Sequence, residues 1–165
     1  MNLLVLCLGN DIRSDDGVGW AVADELSRPA DHDRRESLIP NPQPLIPVIR
    51  RTALSGFYLL DELVGYDRVI VVDAVKTGVH PPGTVLSFPF EALGTEAGPS
   101  PHAVGLPSVV KLGRQSGVPL PTGIHIVAIE VDDMETIAEG LTTAVRDAVP
   151  RAVAEVQALV AACRP

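Results

Sequence analysis

The sequence predicts an α/β fold: a single domain over residues 1–165, with a twisted, mostly parallel sheet of about five strands and helices on both faces. Three observations predict it. Residues 3–8 and 69–72 are continuous apolar runs without polar alternation, the mark of strands covered on both sides, and 124–131 reads as a further strand. Segments of helical spacing stand between or after them, at 18–26, 56–63, 103–117 and 142–163. The alternation of the two implies βαβ connections, which run in parallel and keep one hand.

The elements follow in order. Residues 3–8 read as a buried strand stopped by Gly9-Asn10, and 11–17 as a polar loop. Val18, Trp20, Ala21, Val22 and Leu26 then mark a helix. Four prolines between 38 and 47 exclude a long central strand there, and 47–52 reads as a short edge strand. Residues 56–63 read as a short helix. The clearest strand is Val69-Ile70-Val71-Val72, which is expected to end at Asp73. Pro81-Pro82-Gly83 makes a turn into a strand over 83–90, and 91–101 is a Gly-, Ser- and Pro-rich loop. A helix over 103–117 ends at Gly113 or Gly117, and 124–131 is the last strand. The closing helical segment takes Thr142 or Thr143 as N-cap and is broken or restarted at Pro150.

Composition bounds the function. The 165 residues carry 13 Lys plus Arg against 21 Asp plus Glu, a net charge of -8. That balance disfavours nucleic acid or an anionic membrane as partner. No segment approaches the roughly 20 apolar residues of a membrane span. The opening apolar run lacks the basic flank and cleavage site of a signal peptide, so a cytoplasmic location is expected. Cys7 and Cys163 lie at opposite ends, without disulfide or metal-finger spacing.

Three segments could carry chemistry: 9–19, 71–74 and 100–106. The spacing of Gly9, Gly17 and Gly19 fits neither a dinucleotide fingerprint nor a P-loop, and Asp11, Asp15 and Asp16 would repel phosphate. Asp15 and Asp16 could simply cap a helix. Asp73, following four β-branched residues, is expected at the solvated edge of the core, since burying an unpaired charge is costly. His102 could be an exposed helix start. His32 and His80 fall in loops, and His125 reads as structural. In a parallel sheet, however, Asp16, Asp73 and His102 would converge on one crevice at the carboxyl edge. Two oxygens and one nitrogen suit nickel or zinc in an open site. No Ser-His-Asp, Cys-His or H-E-x-x-H arrangement competes with this reading.

The same segments resemble the hydrogenase maturation proteases. Gly9-Asn10…Asp15-Asp16-Gly17-Val18-Gly19 is similar to that family's opening signature, and Asp73-Ala74 and Ser100-Pro101-His102…Gly105-Leu106 to its later ones. The likeness extends to Leu59-Leu60 and to Ala148-Val149-Pro150. Where the family has a Gly-Gly-Thr-like turn, Thr52-Ala53-Leu54-Ser55-Gly56 keeps only Gly56. Val131-Asp132-Asp133 and Thr142-Thr143 depart from it as well. The resemblance implies an aspartic-type endopeptidase that removes a C-terminal peptide from a nickel–iron hydrogenase large-subunit precursor. It implies Asp16, Asp73 and His102 as contacts to the precursor's nickel, with zinc or cadmium as stand-ins and no organic cofactor. Asp16 and Asp73 would be catalytic, and Gly9, Asn10, Asp15 and Gly56 would meet substrate. Water activation by the metal and by a carboxylate base both stay open. The rivals are a non-cleaving nickel-insertion checkpoint, a nucleotide-binding enzyme and a paralogue that has lost its substrate.

Overall fold

The two longest apolar runs form adjacent inner strands of the sheet. The computed structural model describes residues 1–28, 45–93 and 106–163. Strand β1 (Leu3–Leu8) is buried throughout and pairs in parallel with β2 (Val48–Thr52) on one side and β3 (Arg68–Val75) on the other. Strand β5 (Gly123–Glu130) extends the sheet in parallel beyond β3, and β4 (Val85–Pro89) closes it as an antiparallel edge. The order is β2-β1-β3-β5-β4.

Helices cover both faces. On one, Val18, Val22 and Ala23 of α1 (Val18–Ser27) and Val149, Ala152 and Val156 of α5 (Val149–Ala162) pack on Val5, Ile70 and Val127. On the other, Leu59 and Leu63 of α2 (Leu59–Leu63) and Leu106 and Val110 of α3 (Leu106–Gln115) pack on Leu6, Val71 and Ile126. Each fully buried valine, leucine or isoleucine among them contributes roughly 1.5–3 kcal/mol. The outermost parallel strand carries Arg50 and Arg51, which reach Glu62 of α2 at 2.6 Å and Asp24 of α1 at 2.7 Å. Charges on an edge strand also discourage pairing with another chain.

Several expected boundaries move. The loop over 11–17 contains a 3₁₀ turn at Ser14–Gly17 whose four residues are all buried. The helix over 56–63 is a 3₁₀ turn at Gly56–Tyr58 followed by the single turn α2. Helix α3 runs past Gly113, and Gly117, at φ +75°, follows its end. Helix α4 (Thr143–Arg146) starts after Thr142, but the Thr142 side chain makes no capping bond to it. Pro150 stands in the first turn of α5, where its missing N–H costs no helical bond. The proline-rich stretch over 38–44, His32 and most of the loop over 91–101 lie outside the described residues.

Candidate active site

Strand β3 outruns β1. Their last pair is Cys7 with Val72, and β3 continues through Asp73, Ala74 and Val75 against Ala128, Ile129 and Glu130 of β5. Successive chain connections leave β1 and β3 toward opposite sides of the sheet, the switch point at which open α/β sheets form a crevice. The loop following β1 occupies that ground, and its 3₁₀ turn packs against β3.

The loop is held there by backbone. Gly9 has φ +146°, and a Cβ on it would stand 2.2 Å from the Asp16 carbonyl oxygen. Only glycine lets the chain fold back so closely. The Asn10 N–H donates to the Asp16 carbonyl at 3.3 Å, and the Asp16 N–H donates to the Arg13 carbonyl at 3.0 Å. The Asn10 side-chain oxygen accepts from the Ile12 N–H at 3.2 Å. Ser14 takes φ +43°, a left-handed conformation costing roughly 1–2 kcal/mol, while its N–H reaches the Ala138 carbonyl at 2.9 Å. Such strain collects where a site needs a particular geometry.

The two neighbouring aspartates have different surroundings. Asp15 is fully buried and accepts hydrogen bonds from the Thr142 N–H at 2.7 Å, the Thr142 hydroxyl at 3.1 Å and the Asp133 N–H at 3.4 Å. Its carboxylate ties the β1 loop to the connection between β5 and α4, rather than capping a helix. Asp16 is 2% exposed. Asp73, expected at a solvated strand end, is 1% exposed and lies two residues inside β3. β3 continues because Ala74 and Val75 still pair with β5 and remain covered. Burying a charge costs energy even when it is partnered, so two such carboxylates at a strand edge are poorly explained by stability.

The structure therefore brings the loop carrying Gly9, Asn10 and Asp16 to the strand carrying Asp73. Gly56, at φ +59°, opens the turn after β2. His102 lies outside the described residues, just before α3. Among the described residues no group of three His, Cys, Asp or Glu side chains could hold a metal ion.

Asp73 also lines a cavity of about 170 Å³ between the sheet and the start of α3. Val71, Leu86, Phe88, Leu106 and Ala128 supply much of its carbon surface, and Thr77 is its other polar residue among the described ones. Beside it stands Glu130, 1% exposed, which sequence reasoning did not single out. It accepts from the Thr77 N–H at 2.7 Å, the Thr77 hydroxyl at 2.6 Å and the Gly78 N–H at 2.8 Å. A carboxylate inside an otherwise apolar strand was the available signal, the same one that marked Asp73. Cys7 is no nucleophile: burial pushes its thiol up to about 12, beyond the reach of the nearby Arg51 charge, and the thiolate is the reactive form. His125 meets the Ser87 hydroxyl at 2.9 Å on the β4–β5 pair, as a structural residue should.

A sequence model of the hydrogenase maturation proteases matches residues 53–159. The chain belongs to the hydrogenase maturation protease family. It is thereby placed among peptidases, in agreement with the resemblance carried by its three motifs. It is 26% identical over 161 residues to the hydrogenase 2 maturation protease of Escherichia coli (strain K12), spanning 96% of this chain and 90% of that protein. Its fold is similar to the E. coli hydrogenase maturating endopeptidase HybD, at TM-score 0.72 and 23% identity over 97% of this chain and 92% of that one. The [NiFe] hydrogenase maturation protease HybD from Thermococcus kodakarensis gives TM-score 0.68 and 22% identity, over 97% and 99%. Those maturation proteases share the five-stranded architecture that carries the Asp16 loop and Asp73 here.

Proposed function

We propose that this protein removes a C-terminal peptide from the precursor of a nickel–iron hydrogenase large subunit, and does so after sensing the nickel already inserted there. The observation that carries the reading is the burial of Asp16 and Asp73 on adjoining elements at the sheet's switch point, in a chain of this family. Carboxylate oxygens held at a crevice are hard ligands with room for a partner's own ligands, and an imidazole from His102 would complete an open nickel-binding face. The nickel is substrate here: it arrives with the precursor and marks it as ready.

In this reading the buried pair does two jobs. The carboxylates bind the precursor's nickel and so dock the adjacent chain. Water attack on the scissile amide then needs a base or a metal-polarised water within hydrogen-bond reach, and Asp16 or Asp73 meets the first requirement. The rigid loop from Gly9 to Gly17 keeps the geometry fixed, which matters because small displacements cost rate heavily.

The test is intact-mass measurement of nickel-loaded and nickel-free precursor after incubation with the protein. Loss of a C-terminal peptide from the nickel-loaded form alone is expected, and Asp16→Asn, Asp73→Asn and His102→Ala should each lower that processing about 100-fold or more. Binding without any mass loss would favour the non-cleaving checkpoint. Normal cleavage by all three variants would remove the site assignment.

A further inference from the structure

The cavity beside Asp73 has a composition that the nickel reading does not use. Apart from Asp73, its described polar group is Thr77, whose hydroxyl and N–H are both committed to Glu130 at 2.6 and 2.7 Å. The rest of the wall is carbon among the described residues, with Val71 of β3, Ala128 of β5, Leu86 and Phe88 of β4, and Leu106 at the start of α3. These strands form a fixed floor, because Asp73 pairs with Ala128, and Ala128 with Leu86, in the sheet register. A pocket of about 170 Å³ so lined accommodates one aliphatic side chain, and among the described residues only Asp73 and Thr77 bring polar side chains to its carbon wall.

We propose that this cavity is the specificity pocket of the reaction, and that it receives an aliphatic side chain from a residue flanking the scissile bond of the precursor. The inference rests on the proposed processing reaction. With Asp73 engaged by nickel, an inserted lysine or arginine would meet a carboxylate already committed to a cation, so a neutral side chain of leucine or isoleucine size is the fitting occupant. The pocket shares Asp73 with the proposed reaction centre, so filling it would seat the neighbouring amide beside the buried carboxylates. Specificity would reside in Ala128, Phe88 and Leu86, and it would be set by volume.

Two measurements test this. In the first, nickel-loaded precursors bearing Gly, Ala, Leu, Phe or Lys on either side of the cut are processed by the wild-type protein and by Ala128→Leu. The wild-type protein should prefer Leu over Ala at one of the two positions, roughly 10-fold or more in kcat/KM. Ala128→Leu, which fills the pocket, should reverse that preference toward Gly or Ala. If Ala128→Leu does not fold, Phe88→Ala serves instead, and should admit Phe where the wild-type protein discriminates against it. A preference for Lys, or a uniform fall across all substrates in a folded variant, overturns the proposal. In the second, photoleucine is placed in the precursor at the same positions and irradiated with the wild-type protein. Adducts on Val71, Leu86, Phe88 or Leu106 are expected, and adducts confined to other surfaces overturn the proposal. Adducts in the pocket without any peptide release would instead sink the processing reaction while leaving the pocket assigned.

Discussion

Replacing Gly19 by alanine should destabilise the protein, although helix propensity alone says the opposite. Gly19 lies in the first turn of α1, and an exposed helical glycine-to-alanine change gains about 1 kcal/mol. Here the added Cβ would stand 2.1 Å from the Leu8 carbonyl oxygen and 3.1 Å from that of Val72. The first contact falls about 0.9 Å short of the closest approach real Cβ atoms make. Both obstacles are backbone of the inner strands β1 and β3, so α1 must move rather than its neighbours. Overpacking of this kind costs about 1–3 kcal/mol, and backbone on both sides puts it at or above the upper end. After the propensity gain the net loss is about 2 kcal/mol, or roughly 4–8 °C in melting temperature for a chain of this length. Lifting α1 also carries the 3₁₀ turn with Asp16 away from β3, and a displacement near 1 Å should reduce processing about 100-fold. Thermal melting with circular dichroism and the precursor mass assay read both effects. A variant that melts at or above the wild-type temperature would refute the packing argument.

Other outcomes follow from single side chains. Glu130→Ala strands the Thr77 and Gly78 donors on the turn beside the cavity, and should cost about 3 kcal/mol in urea unfolding. A loss under about 0.5 kcal/mol would mean that water replaces the carboxylate without penalty. At pH 8 iodoacetamide should label Cys163 in the folded protein and spare Cys7, whose thiol burial raises to about 12; equal labelling would contradict that burial. Burial lowers the pKa of His125, against a smaller upward pull from Glu155. Its contribution to stability is therefore complete above the unfolded histidine value and is lost as pH falls through the lower folded value. Melting temperature should fall between pH 7 and pH 5, less steeply in His125→Gln, and an identical slope in the variant would exclude His125 as the cause.

Much of the fold was legible because its signals are local. The runs at 3–8 and 69–72 are short, apolar and stopped by Gly9-Asn10 and Asp73, which reads as covered strands, and the spacing from Val18 to Leu26 reads as a helix. The site was legible in part. Gly9 and Asp73 stood out at strand ends and Asp16 at a helix start, and the structure joins their elements at the switch point. What composition could not convey was which neighbour each carboxylate meets. Asp15 and Asp16 are adjacent in sequence, yet only the return of the chain near Asp133 and Thr142 shows that Asp15 is a structural tie. Asp73 read as a strand end because its hydrophobic run stops there; that β5 carries the pairing three residues past the end of β1 is a long-range fact. Glu130 escaped notice for the same reason, since its partners Thr77 and Gly78 lie more than 50 residues away.

The most direct test of a metal-reading site is to locate a bound ion. A crystal of the protein soaked with cadmium and measured for anomalous scattering should show one strong peak in contact with the carboxylates of Asp16 and Asp73 and with the His102 ring, and the peak should vanish in Asp73→Asn. A principal peak elsewhere on the molecule, or one that survives removal of both carboxylates, would contradict the account.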